Sequence, residues 1–391
     1  AAGTRERVVR IKVPAGLWDP NRWNYLPAAN PPTLNKWALG KRLFFDDSWL
    51  LPAPQKLSCA RCHDPAKGFS DGLPARSDHM HPPTLINAMY SEHQFWDGRA
   101  GRLEEVVLRS LEDERPQEDE GAAAEAERRH VWPGVVHRLT ASPEYHRRFR
   151  QVFGTPPTAD ALGKALATYL RTILTGNSIY DRAVRAAQGK PLTAAHFEKV
   201  LDKPALEALD MTLQRADIGA DRLDVNKPAD VARDVFAGWQ LFQGKGRCVA
   251  CHPAPHNFHD DGFHNLGVRE ALWPYGPGKE PGRFAALPLG LKDPAMIGAY
   301  KTPTLRALPR TAPYFHDGSR RTLVEVVGYH LRGGQRNPSL DPLLRDPSGQ
   351  PRRLGLSDAE NRLLVLFLMA LDGDPIDPVV ADPERGLGES K

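Results

Sequence analysis

All four cysteines of this chain lie in one short motif that occurs twice, as Cys59-Ala-Arg-Cys62-His63 and as Cys248-Val-Ala-Cys251-His252. Two thiols at this spacing can form thioethers with the two vinyl groups of one haem, while the adjacent imidazole binds the iron. A zinc ribbon usually brings its cysteine pairs within about 20 residues of each other, whereas these pairs lie 189 positions apart (59 to 248). Neither zinc binding nor thioredoxin-type redox chemistry needs the histidine. The sequence therefore predicts two covalently bound c-type haems, with His63 and His252 as iron ligands.

The chain of 391 residues is long enough for about two domains, which suggests one haem in each. The sequence pattern predicts a mostly α fold of two cytochrome c-like domains with little strand. We expect an extended N-terminal arm at 1–35, then an N-terminal haem domain at 36–185 that C-terminal segments could complete. A polar helical insertion or linker is expected at 186–229, followed by a C-terminal haem domain at 230–391.

Amphipathic spacing and capping residues locate the expected helices. The last of them begins with a capping box formed by Ser357 and Glu360. The predicted helical ranges are 34–45, 103–111, 131–139, 143–153, 159–174, 230–242, 323–330 and 357–371.

Composition excludes several classes of partner and location. The net charge is +4, but the positive residues are scattered and haem propionates would offset them, so no nucleic-acid partner is expected. The apolar run at 363–371 is too short to span a bilayer, and no transmembrane segment is predicted. The N-terminal residues lack the apolar core of a signal peptide, yet haem attachment normally takes place outside the cytoplasm. We therefore expect a mature periplasmic chain whose signal peptide has been removed.

Seven segments, one of which contains the first haem motif, carry a family resemblance. Together with the haem motifs they resemble the bacterial di-haem cytochrome c peroxidase and MauG family, and they follow the family's order from about residue 36 to residue 334. The matching segments are LGKRLFFD at 39–46, SCARCHDP at 58–65, PTLINA at 83–88, FWDGRA at 95–100, FHNLG at 263–267, KTPTLR at 301–306 and TAPYFHDG at 311–318.

The resemblance implies a division of labour between the two haems. The N-terminal haem would meet hydrogen peroxide, and the C-terminal haem would pass electrons or share oxidising equivalents. Trp96 would lie between them as a relay, although a bulky aromatic can also simply fill a domain interface. The resemblance further implies one calcium ion at the boundary, bound by the Asn87 side chain and by the backbone carbonyls of Thr311 and Pro313, all of them oxygen donors.

The second iron ligand of the C-terminal haem differs between branches of the family, being Met in the classical peroxidases and Tyr in MauG. In both it stands nineteen residues after the Thr of the Thr-Ala-Pro motif, which here is the position of His330. Tyr329 would serve instead after a shift of one residue. A second imidazole donates electrons more strongly than a thioether and favours higher oxidation states of the iron.

The peroxide side also departs from the family pattern. The positions of the usual Gln and Glu hold Val106 and Pro116, although a carboxylate is needed to move a proton as the O–O bond breaks. Glu114 and Glu118 flank the vacant position and are candidates for that group, or else they are surface acids. His79 matches the histidine that caps the first haem in some family peroxidases, and His81 is a weaker candidate; either could instead be an ordinary loop residue.

These observations favour an enzyme that oxidises Trp or Tyr residues on a partner protein with hydrogen peroxide, as MauG does. One alternative is a classical peroxidase that receives electrons from a small cytochrome or cupredoxin. The other is a non-catalytic di-haem electron-transfer protein, which the missing Gln and Glu leave open.

Overall fold

A computed structural model describes residues 7–22, 25–74, 80–113, 131–215, 222–268 and 282–386 of the chain. The described residues are mostly helical, and their strands are two short antiparallel segments, β1 (Phe263–His264) and β2 (Tyr300–Lys301). The prediction of a mostly α fold with little strand is therefore confirmed. No helix in the described ranges is long and apolar enough to cross a membrane.

The N-terminal half packs around a first hydrophobic core. Phe44, Phe69, Leu162 and Leu166 are among its buried members. The helices of this half are α1 (Leu34–Phe45), α2 (Cys59–Cys62), α3 (Leu103–Asp113), α4 (Val131–Ala141), α5 (Pro143–Phe153) and α6 (Ala159–Leu170).

The C-terminal half has its own core, whose buried members include Phe242, Phe258, Leu364 and Phe367. Its helices are α7 (Ile179–Ala187), α8 (Ala194–Glu198), α9 (Lys203–Arg215), α10 (Pro228–Gln243), α11 (Gly282–Ala286), α12 (Leu323–Leu331) and α13 (Asp358–Met369). The last helix, α14 (Pro378–Ala381), packs against the first core, where Val380 is buried.

One pair of crossing helices organises each half, and a glycine permits each crossing. A Cβ atom at Gly40 of α1 would collide with the carbonyl oxygen of Ala165 in α6. A Cβ atom at Gly238 of α10 would collide in the same way with the carbonyl oxygen of Leu363 in α13. The two halves thus use the same close backbone approach, which a side chain at either glycine would force apart.

The described part of segment 186–229 contributes to the second hydrophobic core. Helices α8 and α9 and the turn between them bury Phe197, Leu201, Leu206 and Leu209 there. The apolar side chains recur at helical spacing within a polar sequence, so the segment packs as part of the C-terminal half.

The two ends of the chain connect the halves. The last described residues return to the N-terminal half, where Lys41 Nζ and Tyr169 Oη donate hydrogen bonds to the carbonyls of Val379 (2.8 Å) and Val380 (2.9 Å). The N-terminal arm lies along both halves, because the Trp18 carbonyl accepts a hydrogen bond from Tyr90 Oη (2.7 Å) while the Trp18 ring contacts that of His256.

Candidate haem sites and the boundary between them

The two Cys-x-x-Cys-His segments have the same local geometry. In each, the backbone N–H of the histidine donates to the carbonyl of the first cysteine (2.9 Å). The Nδ1 atom of His63 lies 3.0 Å from the Phe69 carbonyl oxygen, and that of His252 lies 2.7 Å from the Phe258 carbonyl oxygen. A carbonyl can only accept, so it fixes the proton on Nδ1 and leaves the Nε2 lone pair available for iron.

Burial keeps these imidazoles neutral, as an iron ligand must be. It lowers the pKa of His63 and lowers the pKa of His252 to about 4. Burial likewise lowers the pKa of His330. All three rings are therefore in the protonation state that binds a metal at neutral pH.

A cavity of about 380 Å³ runs between the two halves. Both attachment segments line it, through residues that include Cys59, His63, Cys248, Cys251 and His252. No disulfide joins the four cysteines, so their sulfur atoms remain for thioether bonds. Cys59, Cys248 and Cys251 thus line a largely apolar cavity together with His63 and His252, and these residue types fit the donor set of two c-type haems.

His330 and Tyr329 occupy different environments on α12. His330 lines the cavity, and its Nδ1 lies 2.9 Å from the Val326 carbonyl oxygen, which again leaves Nε2 unused. Its proximity adds to the lowering of the His252 pKa. Tyr329 is buried elsewhere, with its hydroxyl donating to the Leu266 carbonyl (3.0 Å). The structure thus brings His330, and not Tyr329, towards His252.

The segment from residue 84 to residue 111 has a structural copy 220 positions later (84 to 304), which our reading of the sequence did not detect. Phe95 and Phe315 both have positive φ (64° and 68°), and α3 and α12 begin at equivalent leucines. Matching isolated bridges join Gln94 to Ala100 and Tyr314 to Arg320. The constant offset, with its shared Asp-Gly pair, was the available sequence signal.

The repeat identifies the residue of the first half that corresponds to His330. The counterpart of His330 is Ser110, which lines the cavity with Val106 and Val107 and donates from Oγ to the Val107 carbonyl (3.1 Å). No histidine, methionine or tyrosine therefore stands at the position in α3 that corresponds to His330. Small and aliphatic side chains line this wall instead.

Four further residues were predicted near the first haem: His79, His81, Glu114 and Glu118. His79, Glu114 and Glu118 lie outside the described residues. His81 is buried in the cavity wall, with Nδ1 2.8 Å from the Leu73 carbonyl and Nε2 3.3 Å from Ser70 Oγ. The role of His81 as an iron ligand stays a prediction.

Trp96 lies at the boundary between the halves and lines the same cavity. Its indole Nε1–H donates to the His81 carbonyl (2.7 Å), and its own carbonyl accepts from the Lys301 N–H (2.7 Å). Its ring contacts the edge of the His316 ring, and His316 stacks on Tyr300 with ring centroids 3.8 Å apart. The sequence patterns did not single out His316 or Tyr300. By the 220-residue offset, His316 is the counterpart of Trp96.

The three residues predicted for calcium also line this cavity. The Asn87 side chain is buried and pairs with the Thr175 backbone, since Oδ1 accepts from its N–H and Nδ2 donates to its carbonyl, both at 3.0 Å. Asn87 thus has a structural role, and its amide oxygen keeps one further lone pair. Thr311 and Pro313 stand at the end of a 3-10 turn, Leu308–Arg310.

The chain is similar to known proteins over most of its length. A sequence model described as di-haem cytochrome c peroxidase matches residues 34–189. The chain is 33% identical over 357 residues to the methylamine utilization protein MauG of Methylorubrum extorquens, covering 89% of this chain and 81% of that protein. It is 30% identical over 379 residues to the cytochrome-c peroxidase IdrP2 of Denitromonas iodatirespirans, covering 90% and 86%. The fold is similar, with a TM-score of 0.63 and 22% identity, to that of a MauG-like protein associated with microbial copper homeostasis, over 98% of this chain and 99% of that one.

Proposed function

Because this chain belongs to the di-haem cytochrome c peroxidase family of oxidoreductases, we propose that it uses hydrogen peroxide to oxidise Trp or Tyr residues on a partner protein. A bound c-type haem supplies the iron that reacts with peroxide. His63 would hold the reacting haem, and Trp96 would relay oxidising equivalents to the haem held by His252. The observation that carries this proposal is that His63, Trp96 and His252 line one cavity.

His330 supports this role over that of a classical peroxidase. Its unused Nε2 lies on the cavity side of α12, so we propose it as the second ligand of the C-terminal haem iron. A bis-imidazole iron is a poorer store of a reducing electron than an iron with a Met ligand, and it holds an oxidising equivalent more readily. This property suits an enzyme that accumulates oxidising power before it meets its substrate.

We expect His330→Ala to remove six-coordination from the second haem, converting its low-spin signal to high-spin. Absorbance and electron paramagnetic resonance of the oxidised protein measure this directly. Tyr329→Phe is the matched control, since it removes a hydrogen bond to Leu266 from the same helix and should leave the low-spin signal unchanged. An unchanged signal in His330→Ala would refute the assignment.

For proton transfer at the first haem, we propose Glu114 or Glu118 as the acid–base group. The cavity wall formed by Val106, Val107 and Ser110 offers no carboxylate, so the proton must come from another segment. Replacing the active glutamate by Gln should slow the peroxide reaction about 10²-fold or more. A double Gln variant that reacts as fast as the parent would exclude both residues.

We also propose a calcium ion bound by Asn87 and by the carbonyls of Thr311 and Pro313. Asn87 belongs to the first half, and Thr311 and Pro313 belong to the second. The ion would therefore hold the segment that carries Trp96 against the second half. Metal analysis of the purified protein, before and after dialysis against a chelator, tests this. Absence of stoichiometric calcium would exclude the site.

The partner and the compartment follow from the same chemistry. We propose a periplasmic location, because c-type haems are attached outside the cytoplasm. A classical peroxidase remains the second candidate, supported by the 30% identity to a cytochrome-c peroxidase. In that case a small redox protein would deliver electrons to the second haem.

Turnover experiments separate the two functions. With peroxide supplied, we expect slow oxidation of reduced small cytochromes or cupredoxins, and covalent change of Trp or Tyr in a co-expressed partner detected by mass spectrometry. Rapid, sustained donor oxidation with no modified residue would favour the classical peroxidase instead.

A further inference from the structure

A buried histidine at the edge of the cavity lacks a hydrogen-bond partner. The His259 side chain is only 5% exposed, and neither ring nitrogen makes a hydrogen bond within the described residues. The nearest carboxylate oxygen, Asp261 Oδ1, lies 3.5 Å from Nδ1 and already accepts from Ser91 Oγ (2.7 Å) and from the Glu92 N–H (3.2 Å). Leaving a buried polar group without a hydrogen-bond partner is destabilising, so an acceptor on the cavity side is expected.

A lysine lines the cavity near this histidine. Burial lowers the pKa of both His259 and Lys301, and the positive charge of Lys301 lowers the pKa of His259 further. The hydrogen bond found for Lys301 Nζ is a long one of 3.3 Å to the Thr302 carbonyl, although an ammonium group has three hydrogens to donate. Lys301 and His259 are therefore two donors in one cavity wall.

In the first half, the residues equivalent to His259 and Lys301 have hydrogen-bond partners. Ser70 is the counterpart of His259 in the haem-motif repeat (63 to 252), and His81 is the counterpart of Lys301 in the 220-residue repeat. Ser70 Oγ donates to the Pro82 carbonyl (2.8 Å) and contacts His81 Nε2 (3.3 Å). In the first half the two side chains contact each other and the backbone. Within the described residues of the second half, His259 has no hydrogen-bond partner and Lys301 Nζ has only the long bond to the Thr302 carbonyl.

Nearby carboxylates do not fill this role. Asp260 faces His264, with Oδ2 3.0 Å from Nε2, and Asp341 approaches the other nitrogen of that ring at 2.7 Å. Burial lowers the pKa of His264, but Asp260, Asp341 and the nearby Cys251 together raise it to about 12. Asp260 is thus paired with His264, and Asp261 accepts hydrogen bonds from Ser91 and Glu92. Within the described residues, no carboxylate oxygen therefore remains as a hydrogen-bond acceptor for the ring nitrogens of His259.

We propose that His259 and Lys301 bind a carboxylate inside the cavity, and that this carboxylate is a propionate of the second haem. A positive ammonium and an imidazole donor match a carboxylate in charge and hydrogen bonding. Because the backbone N–H of Lys301 donates to the Trp96 carbonyl, the same residue would position both the second haem and the proposed relay. The inference rests on the proposed placement of the second haem beside Trp96.

The test uses the full-length protein with both haems attached and measures each haem's reduction potential by spectroelectrochemical titration. Loss of a cation or donor beside the propionate disfavours the reduced haem, so Lys301→Met and His259→Leu should each lower the potential of the second haem. We expect a shift of at least about tenfold in its ferrous-to-ferric equilibrium, which is about 59 mV for one electron. Lys301→Arg should retain most of the parent potential, and the first haem should not change.

Ser70→Ala is the matched control, because it changes the equivalent position of the first half. A free small anion is the alternative source of the carboxylate, and then the parent's second potential would depend on the concentration of added acetate; such dependence would overturn the proposal. Unchanged second potentials in both Lys301→Met and His259→Leu would also overturn it. If Lys301→Met yields no holoprotein, the His259→Leu potential decides. These potentials are measured without peroxide or partner, so their outcome is independent of whether the proposed catalytic function holds.

Discussion

Trp96→Phe should still react with hydrogen peroxide at the first haem, but the second haem should no longer respond. In the proposed relay, the indole gives one electron towards the first haem and is restored by one electron from the second. A phenylalanine ring is much harder to oxidise, so it cannot take part in this exchange. The expected effect is loss of the second haem's spectral change within the time in which the parent completes it.

The geometry makes this substitution selective. Phenylalanine keeps an aromatic ring beside His316, and the backbone hydrogen bond from Lys301 to residue 96 remains. The side-chain bond that is lost runs from Nε1 to the His81 carbonyl, and the net contribution of such a bond is about 1 kcal/mol. The fold should therefore survive while the relay fails.

Stopped-flow absorbance at wavelengths that distinguish the two haems measures the effect. Trp37→Phe is the control, since Trp37 also donates from Nε1, to Thr172 Oγ1 at 2.9 Å, but is not among the described residues that line the cavity. It should behave as the parent. If Trp96→Phe shares oxidising equivalents at the parent's rate, Trp96 only packs the interface and the relay proposal fails.

The helices could be predicted where capping residues and periodicity agree. The predicted ranges 34–45 and 143–153 coincide with α1 and α5, where Thr33 and Ser142 cap the first turn. The range 159–174 was too long, because the helix ends at Leu170 and the Arg171 guanidinium turns to bind Glu104 (2.8 and 2.9 Å). That ion pair joins residues 67 positions apart, and local periodicity carries no information about it.

Some residues of the candidate site could likewise be predicted from the sequence, and others could not. The cysteines and histidines predicted to bind haem could be identified from the sequence, because covalent attachment requires a contiguous motif. The partners that orient them were not, since the Phe69 and Phe258 carbonyls act through the backbone and any residue type can supply one. The pairing of Asn87 with Thr175 and the open hydrogen bonding of His259 likewise depend on tertiary packing.

The largest effect on stability is expected at Arg306. Its side chain is fully buried, and its guanidinium forms two hydrogen bonds with the Asp181 carboxylate at 2.7 and 2.8 Å. It also donates to the backbone carbonyls of His256, beside the second haem motif, and Gly16, in the N-terminal arm. Arg306 thus joins the arm, helix α7 and the second haem loop at one point.

Arg306→Met should lower the free energy of unfolding by about 3–5 kcal/mol, because it leaves the buried Asp181 carboxylate without its cation. Asp181 would retain the hydrogen bonds from Ser178 that cap α7, and those alone do not neutralise the charge. Denaturant unfolding of the holoprotein, followed by circular dichroism, measures the loss. Arg42→Met is the control, since the Arg42–Glu144 pair is exposed and should cost about 1 kcal/mol or less.

The double variant Arg306→Met with Asp181→Asn identifies the cause. If the cost comes from an uncompensated buried charge, removing that charge should recover a substantial part of the stability lost in Arg306→Met. If instead the double variant is as unstable as the sum of the two single variants, the contacts of Arg306 with the His256 and Gly16 carbonyls carry the stabilisation. In that case the arm and the second haem loop, and not the ion pair, are what this arginine holds in place.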